Sequence, residues 1–156
     1  MKATLILVGK TTEDVFVRAI ADYTGRVAHY LPFNIVTLPE LKNTKKLSEA
    51  QQKDREGETI LKEIQTSDTV VLLDEHGKEF RSVEYAAWLQ KKQNTAKRLV
   101  FVIGGPYGFS KAVYDRANEK ISLSKMTFSH QMVRLIFVEQ LYRACSIIKG
   151  EPYHHE

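Results

Sequence analysis

Apolar and polar residues change their spacing repeatedly along this chain, and each change marks the boundary of an element. Ala3-Thr4-Leu5-Ile6-Leu7-Val8 is a nearly continuous apolar run, the signature of a strand buried on both faces. Val15, Phe16, Ala19, Ile20 and Tyr23 then recur at helical spacing. Thr11 or Thr12 is placed to cap that helix, with Glu13 and Asp14 at its positive end. Phe33 to Leu38 reads as a second strand, stopped by Pro39. Leu41 to Lys46 is a basic loop, and Ser48 to Gln65 a charged helix with few apolar positions.

Thr69 to Leu73 gives a third strand and Asp74-Glu75-His76-Gly77-Lys78 a turn. A helix follows from Ser82, itself a plausible cap, through Trp88 and Leu89. Arg98 to Ile103 is the fourth strand, Ser110 to Asn118 a short helix, and Lys120 to Leu123 a short fifth strand. Ser129 to Lys149 is a long helix that Gly150 ends, leaving a tail from Glu151 to Glu156.

This alternation predicts an α/β fold: one domain over residues 1–156, a parallel-type sheet with helices on both faces. In such sheets ligands sit beyond the carboxyl ends of the strands. Three of those ends are Leu73-Asp74, Ile103-Gly104-Gly105 and Leu123-Ser124. The second opens Gly104-Gly105-Pro106-Tyr107-Gly108, where a strand of Val, Ile and Phe must turn sharply. A glycine there also lets a ligand approach the backbone closely. Taken alone, the same residues also fit a plain tight turn.

Composition narrows the field only a little. The 156 residues are 43% hydrophobic and 27% charged, as in an ordinary folded domain. No apolar run approaches a membrane span, and the opening strand is too short for a signal peptide. The single cysteine, Cys145, lies in a helical pattern and excludes an internal disulfide. A cytoplasmic location follows by default. The net charge of +4 is a weak pointer to an anionic partner.

Motif chemistry excludes more. The glycine loop lacks the Lys-Ser pair of a P-loop and is not a G-x-G-x-x-G fingerprint. There is no G-x-S-x-G elbow and no H-E-x-x-H helix. Asp74-Glu75-His76 and His154-His155-Glu156 offer metal-capable side chains, but neighbours in a turn or a tail seldom converge on one ion. No metal is expected. What remains is a pocket of backbone amides, Leu, Met and Phe side chains and small hydroxyls, suited to an adenine and ribose.

The segments Leu72-Leu73-Asp74-Glu75-His76-Gly77-Lys78, Phe101 to Gly108 and Ser122 to His130, with Arg134, closely resemble one small family. Glu139 to Ala144 and Pro152-Tyr153-His154 belong to the same pattern. The family is the ribosomal RNA large subunit methyltransferase H group, of the SPOUT class of knotted methyltransferases. The resemblance covers essentially the whole chain, more loosely in its first half. It implies a C-terminal trefoil knot, S-adenosylmethionine as methyl donor, and a homodimer whose subunits share each active site. It also implies a substrate: N3 of a pseudouridine in large-subunit ribosomal RNA, on the assembled ribosome.

By the same resemblance Leu73, Gly104, Gly105 and the run Ser124, Lys125, Met126, Thr127, Phe128 and Ser129 line the donor pocket. His154 is the first choice of base, since a neutral histidine can take a proton near pH 7. Tyr153 beside it would stack on or orient the uracil ring. His130 is the runner-up. Arg134 and Arg143 could hold phosphates or base carbonyls, although Glu139 and Arg143, spaced i, i+4, also fit a helix-surface ion pair. Lys42, Lys45, Lys46 and Lys53 could extend a basic RNA-facing surface, although the same residues fit ordinary solvated lysines better. Where the family often carries arginine after the first tail histidine this chain has His155, which puts a phosphate contact there in doubt.

Overall fold

Period-2 alternation within the strands sorts their side chains onto two faces, and the helices follow that sorting. The computed structural model describes residues 1–156. Its five strands are β1 (Lys2–Val8), β2 (Phe33–Leu38), β3 (Thr69–Glu79), β4 (Arg98–Ile103) and β5 (Glu119–Ser122). All pair in parallel, in the order β2-β1-β4-β3-β5. The helices are α1 (Asp14–Ala28), α2 (Glu49–Lys62), α3 (Ser82–Thr95), α4 (Lys111–Arg116) and α5 (His130–Ile148).

Leu5, Leu7, Val71, Leu99, Phe101 and Ile103 face α1, α3 and α5 in the larger core. Their neighbours Ile6, Val70, Leu72, Val100 and Val102 face α2 and α4 in a smaller one, with Ile60, Phe109 and Val113. The fold is therefore the three-layer α/β domain that the alternation of elements predicts. No helix is long and apolar enough to cross a membrane. Cys145 is buried in the larger core, where desolvation pushes its thiol up to about 12, so it stays a protonated, unreactive packing group.

Three local expectations need correction. Neither Thr11 nor Thr12 caps α1, whose N-cap is Glu13 without a side-chain bond. The Gln131 side chain of α5 instead anchors the chain just ahead of the helix, its Oε1 accepting from the Thr12 N–H at 2.8 Å. Ser82 is the first residue of α3, not its cap; the Glu84 carboxylate reaches back to the Arg81 N–H at 2.8 Å. The charged helix stops at Lys62, before Gln65.

The segment after Leu73 is also more than a turn. Residues 74–77 bulge out, and β3 resumes pairing at Lys78↔Ile121 and Glu79↔Ser122. That second stretch depends on Gly77, because a Cβ there would meet the Ile121 backbone nitrogen at 2.6 Å. No side-chain rotation relieves a clash with backbone. Gly77→Ala should therefore destabilise the domain by roughly 2–4 kcal/mol, read as a lower Tm.

At the opposite end of the sheet the Asp68 carboxylate takes two bonds from Arg98, at 2.9 and 2.6 Å, and one from the Gln65 N–H at 2.7 Å. Burial opposes the charged form of Asp68, but Arg98 and the Gln65 amide outweigh it and hold the carboxyl below its ordinary range. A depressed carboxyl stabilises the fold fully above its unfolded value, and that contribution is lost as pH falls through the folded one. Asp68→Asn should accordingly lower stability by about 2 kcal/mol at neutral pH. The gap to wild type should close as pH falls below the usual carboxylate range, measured by thermal melts across pH.

Candidate active site

The carboxyl ends of β3, β4 and β5 open on one cleft of about 710 Å³. Leu73, Ile103 and Leu123 stand at the three strand ends, and Phe128 and Val133 add apolar wall. The glycine loop forms one rim. The segment from Ser122 to Phe128, which carries the chain from β5 to α5, forms the other. Side chain-to-backbone bonds shape this second rim: the Ser122 hydroxyl donates to the Ser124 carbonyl at 2.9 Å, and the Ser124 hydroxyl accepts from the Met126 N–H at 2.9 Å.

Of the nine residues expected at the donor pocket, seven line this cleft: Leu73, Gly104, Gly105, Ser124, Met126, Thr127 and Phe128. Met126 stands at the rim, 78% exposed. Lys125 points to Glu79 at 3.9 Å, and Ser129 caps α5 by accepting from the Met132 N–H at 3.1 Å. His130 lines the cleft as well.

The charge of the cleft is one-sided. Its charged side chains are Glu49, Asp74 and Glu75, and no lysine or arginine lines it. Tyr114 hydrogen-bonds to Asp74, and burial together with that carboxylate pushes its phenol up to about 12. Sequence reasoning missed Tyr114, Glu49 and Glu56. The Glu56 carboxylate accepts from the Gly105 N–H at 2.9 Å. Only strand order brings α2 beside the glycine loop, so no local motif marks these residues.

The tail residues gather elsewhere. Glu139 on α5 accepts from Arg143 at 2.7 and 3.1 Å and from the Tyr153 hydroxyl at 3.1 Å. The Tyr153 ring lies against Tyr142 at 4.6 Å and under the Arg143 guanidinium at 4.8 Å. Burial, Tyr23 and Glu139 all raise its phenol well above the ordinary range, so it stays a neutral donor. Arg143 also meets His154 Nδ1 at 3.0 Å. A guanidinium has only donors, so Nδ1 accepts and the neutral ring carries its proton on Nε2.

The three expected catalytic residues thus form one cluster, organised by Glu139, but it does not line the cleft. Along α5 the rise from His130 to Glu139 is roughly 14 Å at 1.5 Å per residue. Arg134 joins neither group. It is 3% exposed and donates to the Val8 carbonyl at 2.8 Å and the Thr11 hydroxyl at 2.9 Å. It ties α5 to the end of β1, away from any surface a phosphate could reach.

A parallel α/β domain with a backbone-built cleft at three strand ends matches a known class of transferase. Residues 1–154 match the family described as "Predicted SPOUT methyltransferase". The chain is also 64% identical to a protein of Bacteroides fragilis named "Ribosomal RNA large subunit methyltransferase H", over the full length of both. Proteins of the same name from Christiangramia forsetii and Flavobacterium johnsoniae are 58% and 54% identical, covering 99% and 100% of each chain. The chain belongs to this family of SPOUT methyltransferases.

The Glu139 cluster has a direct test. Glu139→Ala removes the acceptor that Arg143 and Tyr153 share, so the tail should loosen while the sheet stays intact. Trypsin cleavage after Lys149 should accelerate about ten-fold, while thermal melts show stability lowered by no more than roughly 1–2 kcal/mol.

Proposed function

We propose that this protein transfers the methyl group of S-adenosylmethionine to N3 of a pseudouridine in large-subunit ribosomal RNA, on the assembled ribosome. The carrying observation is the charge of the cleft. Three carboxylates and no lysine or arginine are hostile to nucleotide phosphates and suit a donor whose sulfonium and amino group outweigh its one carboxylate. Apolar walls and open backbone fit an adenosyl group, so the residues present fit the donor. When bound, that donor supplies an electrophilic methyl carbon and needs no metal. The ribosomal RNA substrate is supported by the names of relatives that match along the whole chain.

The protein's own part is alignment. Leu73, Gly104, Gly105, Ser124, Met126, Thr127 and Phe128 hold the donor, and His130 stands at the edge of the site. Tyr153 orients the uracil ring. His154 is the base for the N3 proton, with Arg143 holding its ring; Arg143 turning to an RNA phosphate frees the Nδ1 lone pair. Because Arg134 is committed to Val8 and Thr11, its contribution is to fix the β1–α1 loop beneath the site.

Methyl transfer needs reacting atoms within about 3.5 Å, which a base cluster roughly 14 Å along α5 does not provide within one subunit. A homodimer in which the partner subunit's tail meets this subunit's cleft resolves the separation. A trefoil knot formed by the last third of the chain, one functional domain over residues 1–156 and action in the cytoplasm complete the reading.

The test is transfer of labelled methyl groups from S-adenosylmethionine to assembled ribosomes lacking the modification, beside free large subunits and naked RNA. Label should appear on assembled ribosomes, and His154→Ala should reduce the rate by about 10²–10³ while donor affinity is unchanged. Donor binding without label on any substrate would overturn the RNA assignment. No donor binding and no label would leave a catalytically silent ribosome-binding module.

A further inference from the structure

Glu56 has no role in the chemistry proposed above, yet it occupies an unusual position. It lies on α2, half-buried, and burial raises its carboxyl above the ordinary range. Its hydrogen bond comes from the Gly105 N–H at 2.9 Å, and no cation lies within ion-pair distance. A carboxylate taken partly out of water without a charged partner is unfavourable, so its placement calls for a compensating role.

The loop explains what that role is. Between β4 and α4 the glycine loop makes one internal backbone bond, from the Gly108 N–H to the Gly105 carbonyl at 3.2 Å. The Gly105 amide is otherwise anchored only by Glu56. A trans peptide is planar, so aiming the Gly105 N–H at Glu56 aims the Gly104 carbonyl the opposite way. That carbonyl accepts no hydrogen bond from the protein, and Gly104 lines the cleft. The peptide is thus locked with its acceptor free for a ligand N–H.

The next residue of α2 secures the other end of the loop. Gly57 packs so closely on Ser110 that a Cβ there would collide with the Ser110 hydroxyl. That hydroxyl caps α4, accepting from the Val113 N–H at 3.3 Å. Consecutive residues of one helix therefore grip both ends of the loop.

We propose that Glu56 is a positioning residue of the donor cleft: its carboxylate fixes the Gly104–Gly105 peptide so that the Gly104 carbonyl is presented to an amino group of the ligand, such as the exocyclic amine of adenine. The ligand's identity rests on the donor reading above; the grip of Glu56 on the loop does not. The experiment compares Glu56→Ala and Glu56→Gln with wild type, because glutamine keeps an acceptor for the Gly105 N–H and alanine does not.

In ligand-free protein, amide exchange at Gly105 should quicken at least ten-fold in Glu56→Ala and stay near wild type in Glu56→Gln. Titration with S-adenosylmethionine should give a Kd raised about ten-fold in the alanine variant and less than about three-fold in the glutamine variant. In methyl transfer the alanine variant should raise the donor KM and keep kcat at saturating donor. Equal Gly105 exchange in wild type and Glu56→Ala would overturn the inference, as would a glutamine variant as impaired as the alanine one. Donor binding of wild-type strength in Glu56→Ala would do the same while leaving the donor reading intact. A wild-type protein that binds no donor would sink the donor reading, and the exchange arm would still decide whether Glu56 holds the loop.

Discussion

Burial of α5 against the sheet is the constraint on which the rest of the molecule depends. Phe137 packs on Phe101 of the central strand with ring centroids 4.8 Å apart, and Val138, Leu141, Ala144 and Cys145 extend the contact. Once that face is fixed, every polar group on the helix has a fixed place. Its first turn closes the cleft at His130 and Val133. Gln131 and Arg134 hold the β1–α1 loop. Glu139 and Arg143 hold the tail. One packing interaction therefore sets the strand-end cleft and the Glu139 cluster in rigid relation, and the same rigidity keeps them apart.

Much of the fold was legible because the strands alternate so strictly. Leu99, Phe101 and Ile103 on one face and Val100 and Val102 on the other predict helices on both sides of β4, and both are there. Legibility failed where a distant residue replaced a local one. Thr11 and Thr12 look like helix caps, but neither caps α1, and Gln131, more than a hundred residues away, holds the Thr12 amide just ahead of the helix. Residues 74–78 look like a turn because the turn chemistry is present, and the continuation of β3 depends on backbone contact at Gly77 that no periodicity records.

The candidate site divides in the same way. The glycine loop and the small-residue rim were readable, since strand ends that break into glycine and serine expose backbone by their nature. Arg134 looked available for phosphate because arginine on a helix usually is. Burial among Val8 and Thr11 converts it into a structural donor, and desolvation lowers its pKa. Glu56 and Tyr114 carry no motif at all. Their relevance comes from strand order, which sets α2 and α4 on the face beside the glycine loop.

The acidic cleft and the basic chain make opposite demands that the architecture reconciles. A net charge of +4 favours an anionic partner, yet the cleft presents Glu49, Asp74 and Glu75. If a cationic donor and the anion shared one cleft, the two would compete in one field; a carboxylate-lined cleft instead favours a cationic ligand and repels phosphate. The cations that could meet phosphate, Arg143 and the lysines near residues 42–53, stand outside the cleft. On the proposed function, segregation of sign would let one small domain handle a sulfonium donor and a polyanion, provided the base is brought to the donor by the tail and not drawn in by the RNA phosphates. That arrangement would place the burden of substrate selection on geometry at the Glu139 cluster, where Tyr153 and His154 are already held by the helix that shapes the cleft.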